Sequence, residues 1–295
     1  MTALTRPAFT LVEALVCVAI VGVLTALTLP AVQQVRATAA RAACQNRLRQ
    51  VALALHQYHD GQGHLPPGIR VDPGSDFRYL GWTARVLPYL DQDAVWGRVV
   101  TAFASDPDPA KFYGHRPHAD LLATPISGLT CPADPRMPGP AVVGPTVAFT
   151  SYLGVSGVDQ KSRGGMLHPG SRYRLLDATD GTGSTLMVGE RPPSATLLLG
   201  WWYRGWGQSK DGSAEMLLGV REINVLQDRC LPGPVPFAAG RLDDDCSAFQ
   251  FWSLHPGGAN FAFCDGSVRF LRYEADTILP ALATRAGGEV VQVPD

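Results

Sequence analysis

The N-terminal part of the chain contains a long, almost uninterrupted run of apolar residues. Residues 9–29 read FTLVEALVCVAIVGVLTALTL, and Glu13 is the only charged side chain among them. As an α-helix this run would rise about 31 Å, which matches the thickness of the hydrocarbon core of a bilayer. Arg6 precedes the run, and a basic residue there favours a cytoplasmic N-terminus. The pattern therefore predicts a transmembrane helix over about residues 9–29.

Beyond Pro30 the pattern changes from continuously apolar to amphipathic. From Val32 to Leu55 apolar residues recur mostly at spacings of three and four, and arginines lie between them. This periodicity predicts one helix over residues 9–60, kinked near Pro30 and ending at about His59. Its first half would be a membrane anchor, and its second half a spine for the globular residues 61–295.

Two ordinary membrane signals compete with this interpretation. A secretory signal peptide is disfavoured because the run is long and residues 29–33 offer no small-x-small cleavage site. A plain signal anchor leaves Glu13 unexplained, because a carboxylate inside a membrane helix is costly and usually has a partner.

The globular part has the period-two patterns of short strands separated by turns. Residues 104–146 are rich in Pro, Asp and Gly and are predicted to be mostly loop. The predicted strands are Val147–Val155, Ser184–Glu190, Thr196–Tyr203 and Ala248–Leu254.

A β-hairpin is predicted over residues 259–272. Two alternating segments flank Asp265-Gly266, a dipeptide that favours the two-residue type I′ turn because both positions need positive φ. This turn would place four apolar side chains on one face of the hairpin. The predicted pairs are Phe263 with Val268 and Phe261 with Phe270.

Composition narrows the function classes. The chain has 295 residues, of which 46% are hydrophobic, and a formal net charge of −1. This length can bury a full core, and the near-zero charge gives no electrostatic reason to expect nucleic acid as a partner. The predicted fold class is α+β, a long N-terminal helix packed on an antiparallel sheet.

The cysteines predict disulfides, provided that the globular part is exported. None of the six forms a Cys-x-x-Cys motif, which disfavours a zinc ribbon or a thioredoxin motif. Cys230 and Cys246 flank a short loop and are the first expected pair, and Cys44 with Cys131 is the second. Cys264 would then be an unpaired buried thiol.

Histidines raise the question of catalysis or metal binding. His56, His59 and His64 cluster near the predicted helix end, where histidine also suits the helix dipole. His255 with Cys264 could form a Cys-His dyad. We favour structural roles for both groups and assign no catalytic residue and no metal ligand. A metal-dependent hydrolase would need His255, or His56 and His59, to converge with carboxylates.

Calcium and aromatic ligands are the remaining alternatives. No cofactor is expected, although Asp180–Ser184 and Asp243–Asp245 offer the oxygen atoms that calcium prefers. Trp201, Trp202 and Trp206 would suit a sugar or protein ligand if exposed, and the core of one strand if buried. No nucleophile elbow, Walker A loop or dinucleotide fingerprint is present, and an enzyme is not expected.

The N-terminal segment Ala8–Glu13, AFTLVE, resembles the cleavage and methylation motif of type IV prepilins and pseudopilins. The resemblance implies that residues 1–8 are a leader, cut between Ala8 and Phe9, after which the Phe9 amine is methylated. Ala8 stands where that family usually has glycine. It also implies that Glu13 pairs with the N-terminal amine of a neighbouring subunit during assembly.

The segment from His255 to Gly266 carries a second resemblance. It is similar to the C-terminal signature of bacterial prepilin-like proteins with the domain of unknown function numbered 1559. The residues that carry this likeness are His255, Gly257, Gly258, Asn260, Asp265 and Gly266. The resemblance implies architecture and export rather than an activity.

Together these features predict a non-enzymatic, pseudopilin-like structural or accessory subunit of a type II secretion or type IV pilus-like assembly. The expected location is the cytoplasmic membrane, crossed once, with the globular domain periplasmic or extracellular. The expected partners are a prepilin peptidase and other pilin-like subunits. The alternative is a membrane-anchored surface module that binds a glycan or protein and uses the prepilin signal only for export.

Overall fold

A computed structural model describes residues 10–107, 116–137, 139–226, 230–289 and 291–293. The chain divides into two compact units, one up to Ala42 and one from Ala43 onward. The predicted leader and cleavage site, including Ala8 and Phe9, lie outside the described residues.

Helix α1 spans Leu11–Gln62 and continues through Pro30. Its N-terminal residues present an apolar surface, with the large apolar side chains from Leu11 to Val35 between 47% and 77% exposed. The helix ends three residues beyond the predicted His59. Gly63 follows with φ of +75° and donates its N–H to the His59 carbonyl at 2.7 Å, which is a glycine cap in the left-handed conformation.

The second half of α1 belongs to the globular unit, where it supplies core side chains. Cys44, Leu48, Val51, Ala52 and Leu55 are fully buried and recur at helical spacing. The predicted spine is therefore part of the domain's core.

The described residues contain four further α-helices, together with several 3₁₀ turns. They are α2 (Trp82–Arg85), α3 (Asp93–Ser105), α4 (His118–Leu122) and α5 (Leu279–Leu282). Helix α4 lies in the region predicted to be loop.

The centre of the globular unit is a five-stranded sheet with the order β5-β3-β4-β6-β7, and a separate two-stranded ladder pairs β1 with β2. The strands are β1 (Ala141–Val142), β2 (Thr146–Val147), β3 (Tyr152–Gly157), β4 (Leu186–Glu190), β5 (Leu217–Gly219), β6 (Gly258–Phe263) and β7 (Val268–Arg272). All neighbouring pairs are antiparallel except β3 with β5, which is parallel. The α+β fold class is confirmed, with a mixed rather than purely antiparallel sheet.

Two of the four predicted strands have counterparts in the sheet. The prediction Ser184–Glu190 becomes β4, and Val147–Val155 overlaps the end of β2 and the start of β3. The prediction Thr196–Tyr203 is wrong. The buried Glu215 carboxylate accepts the N–H groups of Gly200 at 3.2 Å and Trp201 at 2.6 Å, which a neighbouring strand would otherwise bind.

The prediction Ala248–Leu254 is also wrong. Residues Asp245–Phe249 form a 3₁₀ turn instead. The place beside β4 is taken by β6, so Trp252 makes a single backbone bond, its N–H donating to the Glu190 carbonyl at 3.1 Å.

The C-terminal hairpin forms as β6 and β7, but its predicted register is wrong by one residue. The structure pairs Ala262 with Val268 and Phe261 with Arg269. The loop has three residues, because Gly266 has φ of +82° and the Asp265 carboxylate accepts the Ser267 N–H at 2.8 Å. This is a type I turn followed by a left-handed glycine, the next most common way to close a hairpin.

The observed register separates side chains into two cores, one on each side of the sheet. Phe261 and Phe263 pack in the core that also contains Leu153 and Leu186. Ala262, Cys264 and Val268 pack with the buried residues of α1. The predicted single face of four apolar residues is therefore wrong, since Phe261 and Phe263 lie on one side of the sheet and Val268 lies on the other.

Two disulfides close loops of different length in the globular unit. Cys44 of α1 is bonded to Cys131, 87 residues away, and Cys230 is bonded to Cys246, 16 residues away. Both expected pairs are present, while Cys264 is a free and buried thiol and Cys17 is free and exposed.

We expect Gly266→Ala to lower the free energy of unfolding by about 1–2 kcal/mol, because a side chain is strained at positive φ. Gly266→Asn should lose less, since asparagine tolerates this conformation. Thermal unfolding of the full chain in detergent micelles measures the difference as a shift of a few degrees in Tm. Gly128→Ala is the matched control, because Gly128 has open space for a Cβ atom and no positive φ. Equal Tm values for the two alanine variants would contradict the observed turn.

We expect the two disulfides to differ in their contribution to stability. In the chain-entropy model, replacing Cys44 and Cys131 with alanine should cost about 4–5 kcal/mol, and replacing Cys230 and Cys246 about 3 kcal/mol. Denaturant titration of the oxidised proteins measures both losses, and Cys17→Ser should leave the midpoint unchanged. If removing the Cys230 and Cys246 pair costs more unfolding free energy than removing the Cys44 and Cys131 pair, loop length does not determine which disulfide stabilises more.

Candidate functional site

Residues from four separate segments converge on a buried polar cluster in the globular unit. Glu190 ends β4, His255 precedes β6, Cys44 lies on α1, and Cys131 follows a 3₁₀ turn at Ser127–Leu129. None of these four side chains belongs to a residue more than 5% exposed. Their possible ligand atoms all lie within 4.8 Å of one another.

The Glu190 carboxylate is held by one residue of the adjacent strand. Its Oε2 atom accepts hydrogen bonds from the backbone N–H of Asn260 at 2.8 Å and from the Asn260 side-chain amide at 2.9 Å. Its Oε1 atom has no hydrogen-bond partner and lies 3.7 Å from the His255 Nε2 atom. A buried carboxylate needs such partners, because an isolated charge is costly to remove from water.

The predicted motif residues position His255 and Asn260 around this carboxylate. The His255 N–H donates to Ser253 Oγ at 3.0 Å, and that hydroxyl donates to the Gly258 carbonyl at 2.7 Å. Gly257 has φ of +86°, which turns the chain into β6. A Cβ atom on Gly258 would collide with the Leu271 carbonyl oxygen, so β7 can approach only a glycine here.

The disulfide Cys44–Cys131 forms the other side of the cluster. The His255 Nε2 atom lies 3.7 Å from the Cys131 sulfur. The Cys131 N–H donates to Ser151 Oγ at 2.9 Å, and the Tyr152 hydroxyl donates to the Cys44 carbonyl at 3.2 Å. Burial raises the pKa of Tyr152 well above its ordinary value, and the negative charge of Glu190 adds to the rise.

The chemistry of this cluster depends on the state of its sulfur atoms. As a disulfide, the two sulfurs are neither nucleophiles nor metal ligands, since both roles need a thiolate. His255 and Glu190 then form a buried polar pair that packs on the disulfide. As thiols, the same residues would present two sulfurs, one nitrogen and one oxygen to a common centre.

The second half of the predicted motif has a structural role in the hairpin. Asp265 and Gly266 close the loop between β6 and β7, and the Asp265 N–H donates to the Thr182 carbonyl at 3.0 Å. Cys264 is buried on the α1 side of the sheet, and this burial raises the pKa of its thiol. The sulfur that His255 contacts is that of Cys131, so the Cys264 dyad drawn from the sequence is not the pair that the structure forms.

The three histidines near the end of α1 make separate local contacts. His59 Nδ1 lies 3.4 Å from the Asp60 carboxylate, and His64 Nδ1 lies 2.7 Å from the Leu65 carbonyl oxygen. His56 faces the Gly266 turn. Within the described residues, none of these three rings meets carboxylates in a group that could hold a metal ion.

The two acidic segments weighed for calcium already bind protein groups. Asp180 accepts the N–H groups of Gly287 at 2.6 Å and Gly288 at 3.0 Å. Asp243 forms an ion pair with Arg241 at 2.7 Å, and Asp245 accepts the N–H and hydroxyl of Thr196, each at 2.8 Å. Asp244 accepts from Cys246 and Ser247. These oxygens complete turns and loop contacts.

The aromatic segment is mostly core. Trp201 and Trp202 are buried, and their indole N–H groups donate to the carbonyls of Leu197 at 3.0 Å and Thr124 at 2.8 Å. Trp206 is half-buried, with the Lys210 ammonium 5.4 Å from its ring centre.

Sequence reasoning missed Glu190 as a member of the site. Glu190 is the last residue of a correctly predicted strand. A carboxylate at the end of an apolar strand could have indicated a buried polar site. Its contacts with Asn260 and His255 form because β4 and β6 are neighbours in the sheet. No local sequence pattern predicts that these two strands are adjacent. Tyr152 and Ser151, which contact the backbone beside the two cysteines, carried no signal of their own.

Comparison with known proteins gives a family but no characterised relative. A search of the curated proteins and a search of the solved structures each found no match. A family model described as "Protein of unknown function (DUF1559)" matches residues 33–277, which begin after the predicted membrane span and include the whole buried cluster. Because the match covers most of the chain, the protein belongs to the DUF1559 family.

Proposed function

We propose that the protein is a non-enzymatic, pseudopilin-like structural or accessory subunit of a type II secretion or type IV pilus-like assembly. The proposal is carried by one observation, which is that the two halves of α1 have different surroundings. One continuous helix has an exposed apolar N-terminal half and a C-terminal half that supplies the core of the globular unit. This design suits a subunit whose helix packs with others in a membrane while its domain is displayed outside.

The N-terminal half supports membrane insertion by its length and composition. It is the one helix among the described residues that is long and apolar enough to span a bilayer. Among the described residues this apolar surface is exposed, so lipid or neighbouring helices would cover it. Single-pass anchoring in the cytoplasmic membrane, with a periplasmic or extracellular domain, follows from this proposal.

Glu13 supports assembly rather than simple anchoring. It is exposed on the first turns of α1, and its Oε2 atom accepts the Thr10 N–H at 2.8 Å and the Thr10 hydroxyl at 2.7 Å. Both of these donor groups are neutral, so they do not offset the charge of the carboxylate. A carboxylate in hydrocarbon is stabilised by a cation, and the N-terminal amine of a neighbouring pilin-like subunit would supply one.

The absence of enzymatic activity is part of the same proposal. Within the part of the chain that the structure describes, the candidate cluster of histidine, carboxylate and sulfur groups is buried. A catalytic site needs an opening through which the substrate reaches the reacting groups. The partners that the proposed subunit role implies are a prepilin peptidase and other pilin-like subunits.

The alternative, a surface module that binds glycan or protein, depends on an exposed aromatic patch. Trp201 and Trp202 are buried with their indole N–H groups bonded inside the domain, and only Trp206 reaches the surface in part. A flat platform of three rings is not presented, which favours the structural subunit.

We expect the mature chain from native membranes to begin at N-methylated Phe9. Intact and N-terminal peptide mass spectrometry would measure the loss of residues 1–8 together with one methyl group gained. An Ala8→Gly variant should be cut at least as completely, and Ala8→Arg should stay uncut. A wild-type chain that retains Met1 would contradict prepilin processing and move the surface-module alternative ahead.

We expect Glu13→Gln to leave cleavage intact and to reduce association of neighbouring helices, because the side chain keeps its shape but loses its charge. Cys17 is free, exposed and one helical turn from Glu13, so thiol crosslinking in native membranes can report helix packing. Glu13→Asp should retain more crosslinking than Glu13→Gln. Thr28→Val is the matched control in the same segment, and Cys17→Ser shows which products depend on that thiol. Undiminished crosslinking of Glu13→Gln would argue against the assembly role.

A further inference from the structure

We propose that Cys44, Cys131, Glu190 and His255 bind a zinc ion when the two cysteines are thiols, so that the zinc complex and the disulfide are alternative states of one site. The proposal goes beyond the subunit role and does not depend on it. It concerns only the globular unit, in which all four residues lie.

The ligand types and their number fit structural zinc. Such sites are tetrahedral and use cysteine sulfur, histidine nitrogen and carboxylate oxygen. Thiolate ligands select against calcium and magnesium, which take oxygen. Here two sulfurs, one imidazole nitrogen and one carboxylate oxygen lie within 4.8 Å of one another.

Two of the six distances between the ligand atoms already fit a tetrahedron. Ligand atoms bound to a single zinc ion at ordinary bond lengths lie about 3.3–3.8 Å apart. The His255 Nε2 atom lies 3.7 Å from the Cys131 sulfur and 3.7 Å from the Glu190 Oε1 atom. Breaking the bond between the sulfurs lets them separate, and the other two ligands are already in place.

An unpartnered buried oxygen points independently to a missing ligand. Glu190 is 1% exposed, yet its Oε1 atom accepts no hydrogen bond, while its Oε2 atom accepts two from Asn260. The free oxygen is the one that faces His255 and the sulfurs. Leaving a carboxylate oxygen unsatisfied in the interior is costly, and a cation at this position would satisfy it.

The surrounding residues hold the ligands in the way that metal sites require. Asn260 fixes the Glu190 carboxylate, and Ser253 accepts the N–H of His255. Ser151 accepts the N–H of Cys131, and Tyr152 binds the Cys44 carbonyl. Partners outside the ligand set orient the ligands and raise metal affinity.

Charge balance is also reasonable. Two thiolates, one carboxylate and a neutral imidazole around Zn²⁺ leave one net negative charge. The guanidinium of Arg47 donates to the carbonyl of Thr130, the residue before Cys131, at 2.7 Å. This hydrogen bond brings a cation to the backbone next to Cys131, where it would offset part of the remaining charge.

The two states are connected by a balanced reaction. Zn²⁺ binding to the dithiol forms two zinc–sulfur bonds and releases the two thiol protons. Oxidation by a disulfide-containing oxidant then removes two electrons from the two thiolates, forms the bond between Cys44 and Cys131 and expels Zn²⁺, while the oxidant takes up these two electrons and two protons from solvent and becomes a dithiol. A chain folded under reducing conditions would therefore hold zinc, and export to an oxidising compartment would replace it with the disulfide.

The first test measures zinc in the full chain, purified in detergent micelles with a phosphine reductant and added zinc chloride. After desalting, elemental analysis should find about one zinc ion per reduced wild-type chain. Cys44→Ala with Cys131→Ala should reduce this to about a tenth or less, because both thiolates are lost. The matched control, Cys230→Ala with Cys246→Ala, removes the other disulfide and should keep the zinc. A folded, reduced wild-type chain without zinc overturns the proposal, and so does a Cys44 and Cys131 variant that retains it.

A second test does not require removing the cysteines. Glu190→Gln keeps the shape of the side chain and an acceptor for Asn260, and it should weaken zinc binding at least about tenfold in competition with a chromophoric chelator. Circular dichroism verifies the fold of the variant. Cobalt(II) in the reduced wild-type chain should show tetrahedral visible bands and thiolate charge-transfer bands, which disappear on oxidation. Unchanged zinc affinity of Glu190→Gln, or an octahedral cobalt spectrum, overturns the assignment.

Discussion

The burial of the Glu190 carboxylate organises the centre of this protein. A charge removed from water must be met by donors or cations, and here Asn260 on the neighbouring strand and His255 in the preceding loop face it. The glycines between them allow the chain to turn and β7 to approach. The first half of the motif, from His255 to Asn260, therefore surrounds one acidic side chain, and the disulfide from α1 covers the remaining side of that carboxylate.

The same cluster joins the helix to the sheet. Cys44 is the first fully buried residue of α1, and its bond to Cys131 connects the helix to a loop that is hydrogen-bonded to Ser151, next to β3. Below it, side chains at helical spacing pack into the core shared with Ala262 and Cys264. A force applied to this buried part of α1 would thus reach the sheet through both packing and a covalent bond.

A disulfide and a thiolate metal site are related by two electrons, and a protein that crosses from a reducing to an oxidising compartment meets both conditions. The cluster is preformed by elements that do not need the bond between the sulfurs, since Glu190, Asn260 and His255 are positioned by the sheet and its hydrogen bonds. The chain could therefore fold first and exchange its central crosslink later. In this view the redox state of the site selects between the zinc complex and the disulfide.

Local patterns in the sequence determined those structural elements that depend on residues close together in the chain. Apolar continuity defined a segment that is long and apolar enough to span a membrane, helical periodicity defined α1, and the turn residues Asp265 and Gly266 defined the hairpin. The sequence also suggested both disulfide pairs, though without deciding between alternatives. Only the tertiary structure decided the hairpin register. Side chains of β6 pack into cores on both faces of the sheet, and the three-residue loop gives the register that places them there. Likewise, the burial of the tryptophans and the meeting of Glu190 with His255 depend on contacts between segments distant in the chain, and neither local propensity nor spacing encodes such contacts.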